Sequence, residues 1–139
     1  MASAAPVVPD SKGMVWCGRI LSLLVILALA FDGVTKVMKV ASVMKALASL
    51  GYPKDLAVVI GTILLICTAI YAIPQTSVLG AIVLTGFLGG AFEVHLRAGD
   101  PALECAFPLI LGVLIWLGLY LRDARVRALI PLRSNPFSR

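Results

Sequence analysis

The sequence contains few charged residues: 14% of its 139 residues are Asp, Glu, Lys or Arg, against roughly 25% in soluble globular proteins. It has seven acidic residues, one histidine and three cysteines. Helices that pack into a soluble bundle need polar outer faces, and so few charged residues cannot supply them. The mean hydropathy is also high, at +1.03. The composition therefore excludes an ordinary soluble protein and indicates a membrane protein with one domain.

The three cysteines, Cys17, Cys67 and Cys105, show no CxxC or metal-ligand spacing. In a bundle of antiparallel helices Cys17 and Cys105 fall at opposite ends, beyond the Cα separation of about 7 Å that a disulfide tolerates. We interpret all three as small apolar fillers. The sequence also lacks a phosphate-binding loop and a nucleophile–base pair. It therefore predicts neither a catalytic residue nor a metal site.

Apolar residues are concentrated in four long blocks, at about 15–34, 56–73, 77–96 and 106–121. A bilayer core about 30 Å thick requires about 20 helical residues, and roughly 17 to 25 are tolerated. The blocks therefore predict an all-α, four-helix transmembrane bundle.

The segments outside these blocks complete the predicted domain organisation. The transmembrane domain covers 14–130, preceded by a disordered tail at 1–13 and followed by a basic tail at 131–139. Between the first two blocks, 39–50 alternates apolar and polar residues at helical spacing. This pattern predicts a short amphipathic helix in the membrane interface.

The net charge of +5 is concentrated near the end of the chain. After Leu121 there are five arginines and one acidic residue: Arg122, Asp123, Arg125, Arg127, Arg133 and Arg139. A basic segment next to a membrane helix is typical of a cytoplasmic end, and no aromatic residues alternate with the arginines as in a nucleic-acid site. We therefore expect both termini in the cytoplasm and no nucleic-acid partner.

The third block carries small residues at helical spacing. Gly86 and Gly90 form a GxxxG motif, and a second stripe has the spacing i, i+4, i+8 and consists of Ala81, Thr85 and Gly89. Small residues allow membrane helices to approach closely. The pattern predicts close packing within the bundle, with a homodimer interface as the alternative.

Charged residues cluster where the first and third blocks end. In an antiparallel arrangement these ends share one outer level, which brings together Asp32, Lys36, Glu93, His95 and Arg97, with Asp100 and Glu104 nearby. Charged groups at membrane depth usually face the interior of a bundle or a cavity. Asp32 and Lys36 are also four residues apart and can pair within one helix.

Two interpretations of this polar layer remain open. The first is an ion-pair latch between helices, formed by Asp32 with Arg97 and by Lys36 with Glu93. The second is a pocket open to the outer leaflet that binds a small anion or a quinone-like head group. In the second, His95 is the member that changes charge near neutral pH.

The sequence also predicts how the last helix begins and ends. Gly99, Asp100 and Pro101 predict a turn, with Asp100 capping the next helix and Pro101 in its first position. The last helix is predicted to continue past Arg122 as far as Ile130.

Four segments carry a familiar pattern: GRILSLLVILALAFDGVTKVMK (Gly18–Lys39), LGYP (Leu50–Pro53), LGAIVLTGFLGGAFEVHLRAGDP (Leu79–Pro101) and LGLYLRDARVRALIPLR (Leu117–Arg133). Together they resemble the DoxX-like family of small bacterial membrane proteins. The family pattern most often shows two glycines, then His and Arg, which here are Gly89, Gly90, His95 and Arg97. The resemblance implies four transmembrane helices in the bacterial inner membrane. The broader DoxX grouping is named for a membrane subunit of a thiosulfate:quinone oxidoreductase.

Three functional hypotheses follow. The leading one is a non-enzymatic accessory subunit that assists a membrane redox or envelope-stress system through a protein partner. The second is a quinone-linked oxidoreductase subunit with the polar layer as its site, for which quinone is the cofactor. The third is a carrier for a small lipophilic solute, although the helices show no inverted repeat. Membrane lipid, a partner subunit or a second copy are the expected partners.

Overall fold

The computed structural model describes residues 11–130, which form helices and no β-strand. The helices are α1 (Lys12–Val37), α2 (Ala41–Ser49), α3 (Leu56–Ala72), α4 (Ser77–Ala98), α5 (Ala102–Arg122) and α6 (Ala124–Leu129). The all-α prediction is confirmed.

The start of α1 differs from the prediction. Lys12 and Gly13, assigned from the sequence to a disordered tail, belong to α1. The reason is the preceding residue, because the Ser11 hydroxyl accepts a hydrogen bond from the backbone N–H of Met14 and caps the helix. The rest of the predicted N-terminal tail and the predicted basic C-terminal tail lie outside the described residues.

Three of the helices, α1, α4 and α5, are long and apolar enough to cross a membrane, judged by length and composition. The fourth long apolar helix, α3, has 17 residues, which corresponds to about 26 Å at 1.5 Å per residue. Large apolar side chains are exposed on the outward faces of these helices, among them Trp16, Leu23, Leu27, Phe31, Ile63, Ile82 and Val113. Such a surface is suited to lipid rather than to water.

The four long helices are arranged so that each contacts two others. Both α1 and α4 pack against α3 and α5, which places α1 and α4 at diagonal positions. The start of α1 meets the end of α5, since a Cβ atom built on Gly18 would lie 2.9 Å from the carbonyl oxygen of Gly118. We call this the Tyr71 end. The opposite end, where α1 and α4 finish and α5 begins, we call the His95 end.

Glycine allows close helix contact at the Tyr71 end. A Cβ atom on Gly18 would lie 2.8 Å from the backbone nitrogen of Arg122 in α5, and a Cβ atom on Gly80 would collide with the backbone of Tyr71. Real Cβ atoms essentially never approach other atoms so closely. The absence of side chains at these positions therefore brings α1 against α5, and α4 against α3.

Tyr71 itself connects all four long helices. It is fully buried, and its hydroxyl donates a hydrogen bond to the carbonyl oxygen of Ile115 at 3.0 Å and lies 3.2 Å from the Ser22 hydroxyl. The Arg122 guanidinium lies over its ring, 5.3 Å from the centroid. With Gly80 against its backbone, Tyr71 joins its own helix α3 to α1, α4 and α5.

The prediction that the last helix continues to Ile130 is wrong. The chain leaves helical geometry at Asp123, which caps the separate short helix α6. Val126 of α6 is buried, and the Arg127 guanidinium donates a hydrogen bond to the carbonyl oxygen of Tyr120 at the end of α5. Burying Val126 folds α6 back onto the protein instead of extending it into solvent.

The three cysteines are free. Cys67 and Cys105 are buried, in agreement with their interpretation as small apolar fillers. Cys17 is exposed on α1, so that interpretation is wrong for Cys17.

Candidate functional site

A cavity of about 700 Å³ lies at the His95 end and is lined by residues of α1 to α5. Its apolar lining includes four leucines that are themselves buried: Leu29, Leu47, Leu64 and Leu88. Its polar lining residues are Asp32, Lys36, Tyr52, Glu93 and His95. This volume and this composition are typical of sites that bind small organic molecules, which have roughly 300 to 1,000 Å³ and a mostly apolar lining.

The cavity contains most of the polar layer predicted from the sequence. Asp32 and Lys36 from the last turns of α1 face the same space as Glu93 and His95 from the last turns of α4. Arg97 does not line the cavity, and its side chain is 68% exposed. The antiparallel packing of the helices therefore brings four of the five predicted residues together and leaves Arg97 outside.

The ion pairs differ from the predicted latch between helices. Lys36 pairs with Asp32, its neighbour one turn earlier in α1, and Arg97 pairs with Glu93 within α4 at 3.9 Å. The predicted pairs of Asp32 with Arg97 and of Lys36 with Glu93 are replaced by these local ones. The physical reason is that α1 and α4 lie at diagonal positions, with the cavity separating their charged side chains. A partner four residues away in the same helix, by contrast, is always near.

The glycines of α4 also differ from the prediction of close packing. Apart from neighbouring atoms of α4 itself, nothing in the described structure lies within 4 Å of a Cβ atom built on Gly86, Gly89 or Gly90. Gly86 and Gly90 line the cavity, and Gly89 does not. These three glycines therefore do not make the predicted close packing within the chain, because this part of α4 borders open space rather than another helix.

The other two residues of the predicted small-residue stripe are in contact with neighbours. Ala81 is fully buried. The Thr85 hydroxyl accepts a hydrogen bond from the indole N–H of Trp116 in α5 at 2.9 Å. Thr85 therefore belongs to the α4·α5 interface, whereas Gly89, the third residue of the stripe, has no such contact.

The helix α2 forms an outer wall of the cavity. Val43, Ala46 and Leu47 of α2 line it, together with Leu50 and Tyr52 from the segment that follows. The amphipathic pattern predicted a helix here, and the structure has one, with its apolar face toward the cavity. Gly51 ends it with a φ of +83°, a conformation that glycine adopts without strain.

A second group of polar residues lies beside the cavity. A ring nitrogen of His95 is 2.6 Å from a carboxylate oxygen of Asp100. The carboxylate of Glu104 is also close. The three atoms that could bind a metal ion, one from each residue, lie within 4.8 Å of one another. The prediction that Asp100 caps α5 is wrong. Pro101 is the N-cap residue, so the Asp100 carboxylate is turned back toward α4. The sequence placed Asp100 and Glu104 near the polar layer, but their spacing across a turn matches no known ligand motif.

The sequence profile of the DoxX-like family matches residues 20–118, well over half of the chain. The chain belongs to the DoxX-like family. All cavity-lining residues of this DoxX-like chain fall within the matched segment, whereas Arg122 and α6 lie beyond it. A comparison with curated proteins gives no match, and a comparison with solved structures gives none either.

Proposed function

We propose that this DoxX-like protein crosses the membrane four times, through α1, α3, α4 and α5, and that α2 lies in the interface. The 17 residues of α3 are at the lower limit of about 17 for a membrane span, and α3 packs against two longer apolar helices. The arginines after α5 favour the cytoplasm for the Tyr71 end. The cavity then opens toward the outer face of the bacterial inner membrane.

Within this arrangement, the protein binds a quinone-like molecule in the cavity at the His95 end. The observation that carries this proposal is the amphiphilic lining, which combines buried leucines with charged and polar side chains. A quinone likewise has a polar part and an apolar part, since its ring carries two carbonyl acceptors and its tail is apolar. Lys36 and His95 offer N–H donors to the carbonyls, and Phe87 and Phe107 offer aromatic faces to the ring.

The role that fits such a site is an accessory one. A bound quinone supplies the redox chemistry itself, and the protein contributes binding and orientation. In this proposal the chain holds the quinone for a partner redox protein in the same membrane, which supplies or removes the electrons. This combines the accessory-subunit hypothesis with the quinone-linked one.

The test is a titration of the purified protein in mild detergent with decylubiquinone, monitored by quenching of tryptophan fluorescence. The decisive variant is Gly90→Leu, which adds a large side chain to the cavity lining at a position where a Cβ atom meets nothing within 4 Å. The matched control is Gly89→Leu, one residue away on the same helix, which makes the same change outside the cavity.

We expect saturable binding by the wild type and by Gly89→Leu. Gly90→Leu is expected to weaken binding about tenfold or more, a change equivalent to about 1.4 kcal/mol. An absence of saturable binding by the wild type would contradict the proposal. Equal affinities of the two leucine variants would show that the quinone binds elsewhere.

A further inference from the structure

Three potential metal ligands converge where α4 passes into α5. His95 comes from the last turn of α4, Asp100 from the connecting turn and Glu104 from the first turn of α5. Their donor atoms lie within 4.8 Å of one another. The group combines an imidazole nitrogen with two carboxylates from three different places in the chain, so it is more than a run of acidic residues.

The backbone holds this turn without help from the Asp100 side chain. Gly99 ends α4 with a φ of +74°, and the backbone N–H of Asp100 donates a hydrogen bond to the carbonyl oxygen of His95. Pro101, with its fixed φ, then starts α5. Since Pro101 occupies the N-cap position, the Asp100 carboxylate caps no helix and its contact is with the imidazole of His95.

The charges of the group favour a cation. Two carboxylates at this separation repel each other, and among residues 11–130 no lysine or arginine forms an ion pair with Asp100 or Glu104. The nearby Arg97 is paired with Glu93 instead. A divalent ion between the two carboxylates would remove their repulsion and bind the imidazole at the same time.

We propose that His95, Asp100 and Glu104 form a binding site for a divalent first-row transition metal ion. Mg²⁺ and Ca²⁺ prefer sites made of oxygen ligands, whereas an imidazole with carboxylates suits Mn²⁺, Fe²⁺ or Zn²⁺. Three protein ligands leave coordination positions for water or another molecule. Because His95 also lines the cavity, an ion bound by it would lie next to the cavity.

The test is a titration of the full-length protein with Mn²⁺ in mild detergent, after chelator treatment and without added quinone. Free Mn²⁺ is measured by its electron paramagnetic resonance signal. The decisive variant is Glu104→Gln, since Glu104 is exposed and its replacement leaves the core intact. The matched control is Asp55→Asn, which removes an exposed carboxylate at the same end of the molecule, outside the group.

We expect one Mn²⁺ per chain, at least about tenfold weaker binding by Glu104→Gln, and unchanged binding by Asp55→Asn. Zn²⁺ is expected to displace Mn²⁺ at lower concentration than Mg²⁺ does. Equal binding by Glu104→Gln and the wild type would overturn the site, as would Mg²⁺ competing as well as Zn²⁺. Because quinone is absent, the result is independent of the quinone proposal.

Discussion

The first turn of α4 and its later turns use glycine for opposite purposes. At Gly80 the missing side chain lets the backbone of Tyr71 approach, and nothing larger fits. At Gly86 and Gly90 the missing side chains leave open volume that belongs to the cavity. One residue type on one helix therefore creates a contact at the Tyr71 end and a space at the His95 end.

The polar groups of the two ends differ in the same way. At the Tyr71 end a buried tyrosine is hydrogen-bonded across helices, to Ser22 and Ile115. At the His95 end the ion pairs of Asp32 with Lys36 and of Glu93 with Arg97 are local, one turn apart. The polar groups of the first end connect the helices to each other, whereas those of the second line a cavity without linking α1 to α4.

The largest effect on stability is expected from Gly80→Ala. Its Cβ atom would meet backbone atoms of Tyr71, which no side-chain rotation relieves. We expect a loss of about 3 kcal/mol in the free energy of unfolding, at the upper end for overpacked positions. The measurement is unfolding in mixed detergent–SDS micelles, followed by circular dichroism.

The matched control for Gly80→Ala is Gly89→Ala on the same helix. Nothing lies within 4 Å of its Cβ position, and alanine has the higher helix propensity, so we expect a gain of up to about 1 kcal/mol. Similar losses in both variants would remove the contrast between the two parts of α4.

A smaller effect is expected from Tyr71→Phe. It keeps the ring but removes the hydroxyl that bonds to Ile115 and approaches Ser22. We expect a loss of about 1 to 2 kcal/mol in the same unfolding measurement. Tyr52→Phe at the cavity is the control, since the hydroxyl of Tyr52 has no hydrogen bond in the part of the chain that the structure describes. Equal losses would show that the hydroxyl of Tyr71 adds nothing specific.

The smallest effect is expected from the ion pairs of the His95 end. A double-mutant cycle of Asp32→Asn with Lys36→Met should give a coupling energy of about 0.3 to 0.5 kcal/mol, as for i,i+4 pairs. The parallel cycle of Asp32→Asn with Arg97→Met should give a value near zero. A coupling energy of about 1 kcal/mol or more in the second cycle would instead support the predicted ion pair between α1 and α4.

The sequence predicted the features that depend on local pattern. Apolar block length indicated the long helices, and the amphipathic segment after the first block indicated α2. The antiparallel order then placed the ends of α1 and α4 at one level, which is why Asp32 and His95 were expected to be close. Each of these inferences needs only helix period, helix length and connection length.

The features that the sequence missed depend on the rotation of each helix about its axis. Gly80 and Gly90 are both helical glycines, and only the packing shows that one touches Tyr71 and the other borders the cavity. The same holds for Asp100, whose carboxylate turns toward His95 because Pro101 takes the cap position. Volume and side-chain direction arise from tertiary packing, which no local pattern encodes.

The hydrogen bonds of Tyr71 have a consequence for the order of assembly during synthesis. Its hydroxyl is 49 residues from Ser22 and 44 residues from Ile115 along the chain. The Ile115 carbonyl is on α5, the last of the long helices to be made, so the Tyr71 end is completed only after α5 has left the ribosome. The pair of Asp32 and Lys36, by contrast, forms as soon as α1 folds. The cavity as a whole also depends on α5, which contributes Phe107, Pro108 and Leu111 to its lining, so both ends of the protein are completed by the last long helix.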